Sequence, residues 1–185
     1  MSIGLKRGEV SVENHQTKWE FSAKNTIDIL KNTLNNDIVD AQHIGSTSIK
    51  SICAEPIIDI VVGVNNFKDI LKHNDGLSKL GIIYRRQDHP NQQLYVCGDL
   101  QNNIQTHFIH VVIFNSKEWH DYINMRDYLN ANEEKAKEYS KLKEQLAKKY
   151  PNDRIAYTNG KNKRIEEILN SASMWRKCND YKSNN

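Results

Sequence analysis

The longest apolar run in this chain, Ile57-Ile58-Asp59-Ile60-Val61-Val62-Gly63-Val64, is broken by a single carboxylate. A run so rich in β-branched residues reads as a strand covered on both faces. A buried carboxylate is costly unless it is paired or bound to a cation. Asp59 is therefore expected at an open strand end, turned toward something it serves. Upstream lies Ala41-Gln42-His43-Ile44-Gly45-Ser46-Thr47-Ser48, which reads as another strand followed by a Gly-Ser turn that opens a short helix. Glycine lets the backbone approach a ligand closely, and amides at a helix start favour an anion. A tight turn with a Ser or Thr cap accounts for the same residues, so Gly45, Ser46 and Thr47 carry both readings.

The 185 residues suffice for one domain with a substantial core. The formal charge of +3 is unevenly placed: from Lys117 onward there are 15 basic and 11 acidic side chains, and before it 11 and 12. That suits one face meeting phosphate, but it falls short of the dense basic patch of a nucleic-acid binder, so nucleic acid is not expected as a partner. Cys53, Cys97 and Cys178 are too widely spaced for a zinc or redox motif, and no apolar leader precedes Lys6 and Arg7. The Asp59 run is too short to cross a bilayer. A cytoplasmic chain with no membrane partner is expected, and its oligomeric state stays open.

Along the chain, Trp19, Ala23, Ile27, Leu30 and Leu34 recur at helical spacing, and Ile38 to Ile44 follows as a strand. After the Asp59 strand come a helix with Phe67, Ile70, Leu71 and Leu77, then short strands Ile82 to Arg86 and Leu94 to Cys97 around a polar loop. Thr106 to Phe114 is a strong strand whose alternation puts Thr106, Phe108, His110 and Val112 on one face. Beyond the expected cap Ser116 the chain is helical, broken at Pro151-Asn152-Asp153, and a flexible tail is expected over 179–185.

The order strand, Gly-Ser, helix, strand with Asp resembles the core of the DNA-polymerase-beta-like nucleotidyltransferase superfamily. A longer pattern is more specific. His43-Ile44-Gly45-Ser46-Thr47-Ser48, Pro56-Ile57-Ile58-Asp59-Ile60, Thr106-His107 with Ile109-His110-Val111-Val112, and Trp119 belong to it, as do Arg126-Asp127-Tyr128-Leu129, Tyr139, Leu142-Lys143, Leu146-Ala147 and Tyr157 with Lys161. Together they resemble the GrpB family, also called UPF0157, from about Leu5 to about Ala172. The resemblance implies an α+β fold: a nucleotidyltransferase-like mixed β-sheet with packed helices and a C-terminal helical part. It implies one domain over 1–178, with a core at 19–115 and helices at 117–177. Related domains occur fused to dephospho-CoA kinase in some bacteria, which implies a nucleotide or coenzyme setting. Two departures stand out. Glu55 occupies the place of a common lysine, and Lys50-Ser51-Ile52 replaces Pro-Gly-Leu. Lys50 is the residue that would have to stand in for the missing lysine.

The superfamily holds divalent cations on an Asp-x-Asp pair and a third carboxylate. Here Val61 follows Asp59, and His107 and His110 stand where the third carboxylate is expected. Magnesium prefers oxygen ligands, whereas Asp59 and His110, with His43 or His107, suit zinc or manganese. His107 and His110 point to opposite faces of a regular strand, so one ion takes both only at a bulge. Asp59 and His110 are the candidate catalytic residues. Gly45, Ser46, Thr47, Arg126 and Lys161 are the candidate phosphate or substrate contacts, with an ion pair for Arg126 and a solvated Lys161 as the plainer readings. Three functions stay open: an enzyme transferring a nucleotidyl or related group to a small acceptor; a non-catalytic nucleotide, coenzyme or anion-binding module with a degenerate site; and a metal-dependent enzyme using Asp59 and His110. Each takes a small anionic or nucleotide-like ligand, and the cofactor, where there is one, is divalent Mg, Mn or Zn.

Overall fold

Helix α1 (Thr17–Leu34) forms where Trp19, Ala23, Leu30 and Leu34 fall on one stripe, and all four are buried. The computed structural model to which it belongs describes residues 3–183, with side chains described outside 86–89 and 181–183. The strands are β1 (Leu5–Lys6), β2 (Asp40–Ile44), β3 (Ile58–Val64), β4 (Ile83–His89), β5 (Gln92–Cys97), β6 (Ile104–Gln105) and β7 (His107–Ile113). Five of them form one sheet in the order β2-β3-β7-β5-β4, while β1 pairs with β6. Only the β3–β7 pair is parallel in that sheet. Helices α2 (Phe67–Leu71), α3 (Asn74–Lys79), α4 (Lys117–Ala131), α5 (Glu133–Lys149) and α6 (Arg154–Ser183) complete the α+β architecture.

The two faces of the sheet follow from strand alternation. Ile58, Ile60, Val62 and Val64 of β3 join Ile109 and Val111 of β7 against Trp19 and Leu30 of α1 in the main core. Each such side chain stabilises the fold by about 1.5–3 kcal/mol on full burial. On the other face Ile44, Val61 and Val112 pack on Trp119 of α4. Ser116 caps α4 by accepting the Trp119 amide, and Asp153 accepts the Ala156 amide at the start of α6. That cap starts α6 at Arg154, where its first turns look across at the sheet.

Three expectations are corrected. The helix after Gly45 is one turn of 3-10 geometry, Ser46–Ser48, closed by the Ser48 amide and hydroxyl on the Gly45 carbonyl at 3.2 and 2.6 Å. The polar loop expected between the hairpin strands is mostly strand, with its turn at Pro90-Asn91. Gln92 and Gln93 are buried in β5 because their amides find partners: Tyr122 donates to Gln92 Oε1 at 2.8 Å and Tyr84 to Gln93 Oε1 at 2.6 Å. Helix α6 runs on through Ser183, where a frayed tail was expected from Asn179, and residues 184–185 lie outside the described residues. Among the described residues, no helix is long and apolar enough to cross a membrane.

Candidate functional site

The β2–β3 register sets Ile44 opposite Asp59, and the β3–β7 register sets Asp59 beside Phe108 and Val61 beside His110. Asp59 and His110 therefore share the face that looks toward α4 and α6, diagonal to each other. His110 Nε2 lies 3.3 Å from Asp59 Oδ1. Its Nδ1 faces Gln92 Nε2 at 3.3 Å and the Tyr122 hydroxyl at 3.3 Å. With Tyr122 donating to Gln92 Oε1, the amide N–H is left to donate to Nδ1, so the network assigns the proton to Nε2, which donates to Asp59.

These side chains form the floor of a cleft of about 430 Å³, lined also by Gly45, Ser46, Glu55, Phe108, Tyr122, Arg126, Tyr139, Arg154, Tyr157 and Lys161. Six of the seven residues proposed from sequence as catalytic or substrate contacts thus line one cavity: Asp59, His110, Gly45, Ser46, Arg126 and Lys161. Gly45 itself lies directly over the carboxylate. Its φ is +69°, and a Cβ there would sit 2.4 Å from Asp59 Oδ2, so glycine is required by the approach to Asp59 as well as by the turn. Tyr139 lines the same cleft as Ser46, and burial raises the pKa of its phenol.

Thr47 departs from its expected role. It is buried, outside the cleft lining, with its hydroxyl 2.9 Å from His43 Nε2. His43, in register with Ile60, lies on the opposite face of the sheet from Asp59, and burial lowers its pKa to about 4. His107 is on that same far face, near Ser22 at 3.0 Å and Thr26 at 3.3 Å, and burial lowers it also to about 4. Strand alternation thus separates both histidines from the Asp59–His110 pair. Among the described residues, no group of three or more His, Cys, Asp and Glu side chains is placed to hold a metal ion. At this point the described side chains that approach each other are one carboxylate and one imidazole, Asp59 and His110.

Arg126 takes up the ion pair that was one of its two expected roles, while still lining the cleft. Its Nε donates to Asp127 at 2.8 Å, and its Nη1 to Gln42 Oε1 at 2.8 Å and the His43 carbonyl at 3.1 Å. Nη2 lies 2.7 Å from Asp127 Oδ1, and Asp127 also receives Arg176 of α6. The guanidinium rims the cleft while tying α4 to β2.

The cations free of such a clamp come from α6. Lys161 Nζ lies 3.8 Å from Glu55 Oε2 and 4.0 Å from the Tyr157 ring centroid, and burial lowers its pKa. Arg154 Nη2 lies 3.5 Å from Glu55 Oε1, with its guanidinium 5.6 Å from the Phe108 ring. Lys50 does not replace the family lysine: its side chain is 77% exposed, outside the cleft lining and 3.9 Å from Glu20. Arg154 was not picked out from sequence, and Glu55 and Tyr157 stood out there only as positions of the family pattern, with no site role given to them. The signal was available, since Arg154, Tyr157, Thr158, Lys161 and Ile165 follow helical spacing and all line the cleft. Behind the cleft, Lys143 is 1% exposed and donates to the Cys53 carbonyl, with burial lowering its pKa to about 7.

The profile of a family described as GrpB protein matches residues 9–171. The glutamate-rich protein GrpB of Alkalihalophilus pseudofirmus is 40% identical over 171 residues, which cover 91% of this chain and 98% of that protein. The crystal structure of the conserved protein GrpB from Enterococcus faecalis superposes with a TM-score of 0.82 at 27% identity, covering 89% of this chain and 99% of that one. A Cid1 poly(U) polymerase with bound MgGTP superposes with a TM-score of 0.52 at 14% identity, covering 74% of this chain and 44% of that one. The fold is nucleotidyltransferase-like, and the polymerase likeness extends to the fold alone.

Proposed function

Because this chain belongs to the GrpB family, we propose that it binds a small anionic, nucleotide-like ligand in the cleft, on a nucleotidyltransferase frame whose carboxylate set is reduced to Asp59. The make-up of the cleft carries this reading. Arg154 and Lys161 bring positive charge over the aromatic wall of Phe108 and Tyr157, while Val61 and Phe108 occupy the strand positions beside Asp59. Two-metal transfer needs more carboxylate oxygens than β3 and β7 supply. A charge-assisted hydrogen bond from either cation to a phosphate contributes about 1.5–3 kcal/mol, and the aromatic faces suit a flat or apolar ligand body.

Thermal unfolding in EDTA with a panel of nucleoside triphosphates and coenzyme A tests this. Ligand at about 100 times Kd stabilises by about 2.7 kcal/mol, a rise in Tm of roughly 5–10 °C for a chain of this size. The rise is expected to persist in Asp59→Ala. Metal-dependent nucleotidyl transfer that disappears in Asp59→Ala would instead establish the enzyme reading. The 3.3 Å approach of His110 to Asp59 supports a second proposal, one Mg, Mn or Zn ion shared by these two residues and the ligand's phosphate oxygens. Elemental analysis of protein purified without chelator, alone and with ligand, checks it.

A further inference from the structure

Three polar atoms in the cleft wall are buried with no hydrogen-bond partner: Glu55 Oε1, Arg154 Nη1 and the Tyr157 hydroxyl. Buried polar groups in folded proteins are paired as a rule, because each one left bare costs about 1–3 kcal/mol. Here the three bare groups belong to residues that line one cleft, Glu55 before β3 and Arg154 and Tyr157 on α6, with Glu55 Oε1 3.5 Å from Arg154 Nη2. Tyr157 is fully buried, and Arg154 and Lys161 sit 3.5 and 3.8 Å from the two Glu55 oxygens, close enough to attract but too far to hydrogen-bond well.

The chemistry of the missing partner follows from what is unpaired. Glu55 Oε1 accepts only, Arg154 Nη1 donates only, and the Tyr157 hydroxyl does either. A phosphate or carboxylate at this point would satisfy Arg154 and face the bare Glu55 oxygen. An ammonium would satisfy Glu55 and face Arg154. A neutral group with a donor beside an acceptor satisfies both. We infer that Glu55, Arg154 and Tyr157 form a second subsite, which takes a neutral donor–acceptor group of the ligand and leaves the anionic end to the rest of the cleft. On a nucleotide-like ligand that group is a sugar hydroxyl or the edge of the base. The inference rests on the proposed ligand class.

Calorimetric titration of the full chain separates the two ideas. The probes are inorganic tripolyphosphate, the four ribonucleoside triphosphates and their 2′,3′-dideoxy forms. Wild type is expected to prefer at least one ribonucleoside triphosphate over tripolyphosphate by tenfold or more. Tyr157→Phe leaves no partner behind, so it is expected to fold as wild type does and to keep its tripolyphosphate affinity within twofold. The preference should fall about tenfold, as for one lost hydrogen bond to or within a charged site. Glu55→Gln should lower the same preference while tripolyphosphate binds as well or better, since a negative charge is removed. A loss reproduced by the dideoxy forms in wild type assigns the sugar, and a loss that follows base identity assigns the base edge; either supports the subsite. An unchanged preference in both variants, or binding of tripolyphosphate as tight as any nucleotide in wild type, overturns the subsite alone. No binding of any probe overturns the ligand class with it.

Discussion

Replacing Gly45 with alanine places a methyl carbon 2.4 Å from Asp59 Oδ2, 2.8 Å from its Cβ and 2.9 Å from its Cγ. No rotation of Asp59 relieves the approach to its Cβ, so either the turn or strand β3 must move. Overpacking of this kind costs about 1–3 kcal/mol. The Gly45 backbone, at φ 69° and ψ −171°, is also in a region open essentially to glycine, which adds about 1–3 kcal/mol for any other residue. Gly45→Ala is therefore expected to lower unfolding stability by about 2–6 kcal/mol, read as a shift of the urea midpoint without a change in slope. The two contributions separate in an Asp59→Gly background, which removes all three atoms in the way. There the steric part vanishes and the backbone part stays, leaving a coupling of about 1–3 kcal/mol between positions 45 and 59. An equal loss in both backgrounds, or a total below about 1 kcal/mol, would refute the packing of the turn on the carboxylate.

Stability is expected to fall on acidification, because an unfolded histidine takes its proton near pH 6.5 while His43 and His107 do so only near 4. The unfolded chain binds the extra protons between those values, so each residue removes up to about 3 kcal/mol as pH drops across that window; equal denaturation midpoints at pH 7 and pH 4.5 would contradict it. Lys143 acts at the other end of the scale, protonating near 7 when folded and near 10.5 when unfolded. Stability should therefore rise with pH between about 7 and 10, and Lys143→Met should flatten that slope, as measured by chemical denaturation in a pH series. Arg126→Ala is expected to cost about 2–4 kcal/mol of stability by freeing α4 from β2, with ligand affinity little changed in the surviving folded protein. A collapse of affinity at unchanged stability would return Arg126 to the list of ligand contacts.

The frame of the molecule was legible because period-two and period-3.6 patterns are local. They set β3, β7 and α1, and alternation put His107 and His110 on opposite faces, while the meeting of His110 with Asp59 also needed the β3–β7 register. Thr47 and His43 failed as site residues for a related reason: the sheet face of His43 depends on the β2–β3 register, which joins strands across an irregular segment that no local pattern specifies. Arg126 was ambiguous because a guanidinium suits Asp127 as well as it suits phosphate. Glu55 stood out only as a departure from the family pattern. Its meaning needed Arg154 and Lys161, brought from about a hundred residues away by α6. Lys143 looked like any helical lysine, since its burial is decided by where α5 docks against Cys53.

The parallel β3–β7 junction has a consequence for biosynthesis. Ile58 pairs with His107, 49 positions later, and such distant pairing forms only after a long loop has been closed. A nascent chain that has left the ribosome as far as residue 150 can carry the sheet, yet it lacks Arg154, Tyr157 and Lys161. The pocket thus comes into being only once Lys161 has been made, so a ligand can protect the folded domain but cannot chaperone the sheet that forms before it.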